Sequence, residues 1–399
     1  MFTVDTESFL VIVTVAALAA FLAALVGSRL VVPVVVIEIV AGIVVGPEVL
    51  DLAESDEFID FFSNLGLGML FFFAGYEIDF ERIRGAPLRL AVLGWFMSLA
   101  LAYALGGVLE LSGLVLSLLF TGSAMATTAI GTLIPILTDA GELRTRFGTY
   151  LLGAGAVGEF GPILLITLVF STKSAAANAA ILLAFIILAV GTAFAAVGGA
   201  GRGWPLIERT LETSGQLAIR IAVVLVFALG ALASSLGLDL LLGGFVAGVI
   251  VRLALKGHEV RVFESKLTAV GYGFFIPFFF ITSGLEFDLS ALTDDPIRLL
   301  ELPLFLAVFL VVRGVPALVL YRRELDQTDR LALAVFSSTQ LPLVVAITTI
   351  AIEEGHMRAA TAASLVGAAI LSTMIFPLLG LRLRGDRARA APEPSPATG

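Results

Sequence analysis

The sequence predicts an all-helical membrane protein with about thirteen transmembrane helices. Of its 399 residues, 59% are hydrophobic and 14% are charged, whereas soluble globular proteins average about 45–50% apolar and about 25% charged residues. The apolar residues form runs of about 20, the length that an α-helix needs to cross the hydrocarbon core of a bilayer. These runs are continuously apolar, unlike the short alternating strands of a membrane β-barrel.

The same composition excludes several other classes of protein. Ordinary soluble enzymes and disordered chains both contain fewer apolar residues. The net charge of −9 argues against a nucleic-acid partner, because phosphate binding needs clustered Lys and Arg. The chain contains no cysteine, so disulfides, thiol nucleophiles and thiolate metal sites are excluded.

Thirteen apolar runs are predicted to be transmembrane spans. The first run follows an acidic flank rather than the basic flank of a cleavable signal peptide, so we expect it to be a true span. Residues 382–399 are rich in Pro and Ala and are predicted to form a disordered cytoplasmic tail. The predicted spans cover residues 9–26, 31–50, 58–76, 88–109, 113–136, 147–171, 177–198, 217–235, 239–254, 264–282, 299–321, 330–353 and 358–381.

The distribution of basic residues supports this count. With thirteen spans, the side of the membrane opposite the N-terminus receives 20 Lys and Arg residues, against 3 on the N-terminal side. One miscounted helix would destroy this asymmetry, because all later loops would change sides. Cytoplasmic loops are enriched in Lys and Arg, so the N-terminus is predicted outside the cell and the C-terminus in the cytoplasm.

Three pairs of segments repeat in the same order along the chain. Corresponding helices are seven positions apart, an odd number, so the two halves are predicted to cross the membrane in opposite directions. Such inverted-topology repeats are typical of secondary transporters. The matched segments are 41–46 with 243–248, 65–79 with 270–288 and 120–131 with 336–347, which align Gly42 and Gly46 with Gly244 and Gly248, and Gly75 with Gly284.

The fifth and twelfth spans each contain a polar segment that is expected to interrupt the helix. The fifth span contains Thr121-Gly122-Ser123 and Thr127-Thr128, and the twelfth contains residues 337–340 directly before Pro342. Proline removes a backbone donor, and unwound backbone at membrane depth occurs only where it is buried in protein or lines a cavity. The alternative is that these Ser and Thr residues only pack helices together.

Three ionisable residues lie deep within predicted spans, where a charge costs at least about 2.5–3.5 kcal/mol. Glu159 lies in the glycine-rich segment 153–165 of the sixth span and could hold either a proton or a cation. Arg313, in the eleventh span, stays protonated, so it is a candidate counter-charge or a member of a structural ion pair. Glu38, in the second span, is interpreted as a structural or ion-pairing residue.

These segments resemble the monovalent cation:proton antiporter-2 family, the Kef-type and NapA-like group that shares the NhaA fold. The resemblance rests on residues 38–47, 65–79 and 120–131 and on GEFGP in the sixth span, and it covers residues 9–381. It implies two broken crossing helices and a homodimer in which a six-helix core domain moves against a dimerisation domain.

The resemblance also assigns domains and a cation site. Core helices are expected around 58–171 and 264–381, and scaffold helices around 9–50 and 177–254. The ion- and proton-binding carboxylate of the family falls at Glu159, preceded by Gly158 where the family carries Asp, Asn or Gln. Arg313 matches the family's basic residue in the eleventh span. The other residues implied in the cation- and proton-binding site are Ser123, Thr127, Thr128 and Gln340.

The leading hypothesis is therefore a secondary transporter of the cell membrane that exchanges Na⁺ or K⁺ for protons and serves pH homeostasis. No cofactor is expected besides the transported ions, and no cytoplasmic nucleotide-binding domain is expected in this chain. Two alternatives stay open: a cation-coupled transporter of an organic anion or other solute, and a non-transporting membrane sensor or scaffold. An intramembrane enzyme is disfavoured, because the sequence contains no HExxH, no GxSxG and no Cys.

Overall fold

A computed structural model describes most of the chain. The described residues are 5–26, 34–78, 80–169, 213–236, 240–254, 259–293 and 296–385, with short pieces at 183–185, 187–188, 191–192 and 210. Within these ranges the regular elements are all helical, which confirms the predicted all-helical fold class. The predicted seventh span, 177–198, lies largely outside the described residues.

The helices follow the predicted spans closely, with additional breaks. A π-helical turn, Gly271–Phe275, follows the helix that ends at Val270, and a 3-10 turn, Tyr321–Arg323, follows the helix that ends at Leu320. The helices are α1 (Thr6–Val26), α2 (Val34–Val45), α3 (Glu57–Tyr76), α4 (Phe80–Ile83), α5 (Ala86–Leu111), α6 (Leu118–Met125), α7 (Ile130–Asp139), α8 (Arg146–Val169), α9 (Leu217–Ser235), α10 (Leu240–Ala254), α11 (Glu259–Val270), α12 (Ile276–Leu285), α13 (Leu289–Thr293), α14 (Pro296–Leu320), α15 (Gln327–Ser337), α16 (Pro342–Glu353) and α17 (Ala359–Arg384).

By length and composition, eight helical stretches among the described residues are able to cross a membrane. Three shorter apolar stretches, 34–45, 118–134 and 242–254, accompany them. An interrupted helix such as Gln327–Glu353 forms one stretch in this count. Part of the chain also lies outside the described ranges. The total of thirteen spans therefore stays a prediction.

Contacts between residues divide the chain into two compact units. Unit 1 comprises Met1–Leu25, Ile37–Ile78 and Ile163–Phe287, and unit 2 comprises Val26–Val36, Asp79–Pro162 and Asp288–Gly399. The ranges expected for the core domain are thus distributed over both units. Because core and scaffold are defined by movement rather than by contacts, that assignment stays a prediction.

Unit 1 is packed through glycines that let helix backbones touch. In it, α3 packs against α10 and α12. A side chain at Gly75 would overlap the carbonyl oxygen of Phe245, and one at Gly248 would overlap the carbonyl oxygen of Phe72. Gly42 of α2 and Gly284 of α12 face each other in the same way, backbone against backbone. These contacts require glycine because any Cβ would displace a backbone atom.

Unit 2 contains both polar interruptions. Within it, α14 packs against α5, α15 and α17, and α16 packs against α6 and α17. A buried apolar cluster fills the end of this unit where α7, α8 and α15 meet. Its fully buried members on these three helices include Leu133, Leu137, Phe147, Leu151, Leu333 and Phe336.

The last helix runs three residues further than the predicted span. Arg384, placed by the sequence in the tail 382–399, donates to both carboxylate oxygens of Glu142, at 2.7 and 2.8 Å, and also contacts Asp329. Glu142 is fully buried, so this bidentate ion pair holds the final turn of α17 in place. Residues 386–399 of the predicted tail lie outside the described residues.

Candidate functional site

The fifth and twelfth predicted spans are each interrupted, as their polar segments predict. The first interruption separates α6, which ends at Met125, from α7, which begins at Ile130. The second separates α15 from α16, which begins at Pro342. Proline suits the first helical position, because its missing N–H would have no intrahelical acceptor there. Both breaks are buried in unit 2.

The two interruptions contact each other directly. The backbone N–H of Ala129 donates to the carbonyl of Thr339 at 2.8 Å. The side-chain amide of Gln340 donates to the carbonyl of Met125 at 2.9 Å, and its Oε1 accepts from the Thr127 hydroxyl at 3.1 Å. The predicted residues Thr127 and Gln340 are thus brought together. They satisfy backbone and side-chain groups that a broken helix leaves without intrahelical partners.

The second interruption is also held by α17. The hydroxyl of Ser372 accepts from the Gln340 N–H at 3.0 Å and lies 3.0 Å from the Gln340 carbonyl, while Thr373 donates to that carbonyl at 3.2 Å. Sequence reasoning missed Ser372 and Thr373. Their only signal is a pair of polar residues in an apolar run, and that pattern is equally typical of helix packing.

Glu159 lies directly beside the first interruption. Pro162 has no N–H to donate to the carbonyl four residues earlier, which belongs to Gly158. The N–H of Thr128 donates to that carbonyl instead, at 3.1 Å. Glu159 is the next residue of α8 and is only 3% exposed. The two interruptions, 126–129 and 338–341, together form the crossing. The sixth span is joined to this crossing at Gly158, the residue directly before Glu159.

Arg313 is bound to the same crossing through Thr128. Its Nε donates to the Thr128 hydroxyl at 2.8 Å, and that hydroxyl donates to the carbonyl of Ser337 at 2.6 Å. Its two other nitrogens donate to the Ser98 hydroxyl and to the carbonyl of Ala154, each at 3.1 Å. The guanidinium thus connects α14 with α5, α8 and both interruptions.

The arrangement explains why a glycine precedes Glu159. A Cβ at Gly158 would lie 2.9 Å from the Cβ and the hydroxyl oxygen of Thr128 and would overlap Nη2 of Arg313. Arg313 and Thr128 thus occupy the space into which a side chain at this position would project. The polar residue that the resemblance leads one to expect here is therefore incompatible with this placement of Arg313.

Two other predicted residues lie away from this crossing. Ser123 is within α6, where its hydroxyl donates to the Leu119 carbonyl at 2.7 Å and lies 3.4 Å from the Tyr103 hydroxyl. Glu38 belongs to α2 in unit 1 and is 3% exposed. Among the described residues it forms no ion pair, so its ion-pairing role stays a prediction.

Comparison with known proteins places the chain in a family. The family model described as "Sodium/hydrogen exchanger, transmembrane" matches residues 16–381. The chain is 28% identical over 277 residues to the Na(+)/H(+)-K(+) antiporter GerN of Bacillus cereus, covering 66% of this chain and 67% of GerN. It is 29% identical over 362 residues to the Na(+)/H(+) antiporter NhaS5 of Synechocystis, covering 88% of this chain and 50% of NhaS5.

A solved structure supports the same assignment at the level of the fold. The sodium proton antiporter MjNhaP1 of Methanocaldococcus jannaschii is similar with a TM-score of 0.62 at 16% identity, covering 94% of this chain and 95% of MjNhaP1. The chain spans about half to two thirds of the length of the curated relatives it matches. The predicted resemblance to cation:proton antiporters is confirmed at the level of the family, and the chain is a multi-pass membrane protein. Since the family model spans nearly all of its helices, the chain belongs to the transmembrane sodium/hydrogen exchangers, a family of transporters rather than enzymes.

Proposed function

We propose that this chain exchanges a monovalent cation, Na⁺ or K⁺, for protons by alternating access, with Glu159 as the group that binds either ion. The observation that carries the proposal is the position of Glu159. It is a buried carboxylate on the helix that the first interruption holds through Gly158 and Thr128. Relatives named as Na⁺/H⁺ antiporters support the same function.

The chemistry follows from the groups near the crossing. A carboxylate at membrane depth is costly as a free charge, so it is stable when it carries a proton or binds a cation. Hydroxyl and carbonyl oxygens, which the interruptions provide at Thr127 and Thr128, are suitable ligands for a hard cation. Arg313 keeps its proton, so we assign it a positioning role as a fixed positive charge bound to Thr128.

The proposed architecture is the inverted repeat with thirteen spans, the N-terminus outside and the C-terminus in the cytoplasm. The glycine contacts of unit 1 support it. Gly42 of the first repeat meets Gly284 of the second, and Gly75, the counterpart of Gly284, meets Phe245, which directly follows Gly244, the counterpart of Gly42. Corresponding segments of the two repeats thus make similar close contacts. Assembly as a homodimer, with a core that moves against a scaffold, belongs to the same proposal.

The test is exchange in proteoliposomes that contain a pH-sensitive dye, challenged separately with Na⁺, K⁺ and Li⁺. Glu159→Gln is expected to abolish the cation-dependent pH change while the protein stays monodisperse and folded. Glu353→Gln, which neutralises an exposed carboxylate at the end of α16, is the matched control and should keep wild-type activity. Retained exchange in a folded Glu159→Gln protein would place the site elsewhere.

The charge balance gives a second readout of the same proposal. If Glu159 alone carries the ions, one proton exchanges for one cation, and transport moves no net charge. The exchange rate should then be insensitive to a potassium–valinomycin potential across the vesicle membrane. A strong voltage dependence would require a second titrating group.

A further inference from the structure

A small cavity lies beside Arg313, inside unit 2. Its walls are formed mainly by small or apolar residues of α5, α8 and α14, such as Ala91, Gly94, Ala154 and Ala317. Arg313, Tyr321 and Ser337 are the polar residues that line it. It has room for about one particle of the size of a water molecule.

The positive charge beside this cavity is not neutralised by a carboxylate. Arg313 is 5% exposed, and its three nitrogens donate to two hydroxyls and one carbonyl, all uncharged. In the part of the chain that the structure describes, no carboxylate forms an ion pair with it. A guanidinium has five N–H donors, so two remain available. A buried charge that lacks a counter-charge is costly.

A second polar group at the cavity has no partner among the described residues. Ser337 is 2% exposed, and its hydroxyl oxygen is buried without a hydrogen bond, although its carbonyl is bound by Thr128. Tyr321, which also lines the cavity, is likewise 2% exposed. The cavity thus adjoins a guanidinium with two unused N–H donors and a buried serine hydroxyl that can turn its hydrogen inward. Such a set of donors suits an anion and repels a cation.

We propose that this cavity binds a small monovalent anion of the halide class. The available volume excludes phosphate and organic anions, whereas a halide is a single-atom ion. The anion would neutralise Arg313 at a point one hydrogen bond away from Thr128. Under the proposed function, on which this consequence rests, a bound halide would reduce the repulsion between Arg313 and a cation at the crossing.

The test measures anion binding, not transport. Thermal unfolding of the purified full chain is followed in sodium bromide, sodium chloride and sodium gluconate at equal ionic strength and pH. The halides are expected to raise the melting temperature in a saturable manner relative to gluconate. Ala317→Leu, which fills the cavity, should remove this rise. Ser337→Ala should weaken the apparent halide affinity about tenfold, because it removes one hydrogen bond to a charged group.

A matched control and a second measurement complete the test. Ser283→Ala removes a hydroxyl that donates within its own helix, to the carbonyl of Phe279 at 2.6 Å, and should keep the full halide effect. Bromide should give an anomalous-scattering peak next to Arg313 in wild-type crystals. The proposal is overturned by equal melting temperatures in all three salts, or by a rise that Ala317→Leu retains. In those cases the cavity holds water only.

The outcome is separable from the proposed function. Glu159→Gln leaves every residue that lines the cavity unchanged, so it is expected to keep the halide-dependent rise in melting temperature even though it loses exchange. Failure of exchange and failure of halide binding are thus read from different experiments.

Discussion

Thr128 links Arg313 to both interruptions. Its hydroxyl accepts from Nε of Arg313 at 2.8 Å and donates to the carbonyl of Ser337 at 2.6 Å, and the residue is 1% exposed. Thr128→Val keeps the shape of the side chain and removes both hydrogen bonds. A bond to a charged donor contributes about 1.5–3 kcal/mol and a neutral one about 0.5–1.5 kcal/mol, so the loss amounts to about 2–4.5 kcal/mol.

This loss should appear in both stability and exchange. We expect Thr128→Val to unfold at a lower temperature and to lose at least about tenfold in exchange rate in the dye-loaded proteoliposomes, since about 1.4 kcal/mol corresponds to a factor of ten. The matched control is Thr348→Val, because the Thr348 hydroxyl is equally buried but donates only within α16, to the Val345 carbonyl at 2.9 Å. If the two variants behave alike, the link from Arg313 through Thr128 has no role in holding the crossing.

Two further predictions concern the space before Glu159 and the surface of unit 2. Gly158→Ala should lower both stability and exchange, because overpacking against Arg313 costs about 1–3 kcal/mol and outweighs the gain in helix propensity of about 1 kcal/mol. The control is Gly107→Ala, which has open space around it and should be neutral or stabilising. Equal behaviour of the two variants would contradict the prediction. Hydrogen bonds from Tyr150 and, to a smaller extent, from Arg146 lower the pKa of Glu324. The contribution of the Glu324 carboxylate to stability is therefore complete above the ordinary carboxyl pKa and is lost as the pH falls through the lowered pKa. Glu324→Gln should therefore flatten the acid side of the pH–stability curve, and an unchanged acid side would show that these bonds do not stabilise the fold.

Much of the site was accessible from the sequence because its signals are local. The polar segments of the fifth and twelfth spans differ from their apolar surroundings, and a proline marks where α16 begins. Both interruptions occur where these signals predict them. Glu159 was identifiable because an isolated acid in an apolar, glycine-rich run is costly unless it has a role. Each of these inferences uses residues within one span.

Other parts of the site depend on contacts between distant segments. Ser372 binds a residue 32 positions away along the chain, and Arg313 binds Thr128 across 185 positions. A serine that holds an interrupted helix has the same sequence pattern as one that only packs against a neighbour. The same limit applies to the end of α17. By sequence, Arg384 belongs to a basic tail, and only its contact with the distant Glu142 shows that it is part of the helix packing.

The sequence by itself determined the membrane environment, the helical class and the two places where helices break, because hydropathy and proline act over a few neighbouring residues. Only the tertiary structure decided that the breaks bind each other and that Arg313 fills the space beside Gly158. It also decided that a small cavity adjoins that buried charge. These features arise from close packing between helices that are far apart in sequence, and packing of that kind depends on three-dimensional fit that no local pattern encodes.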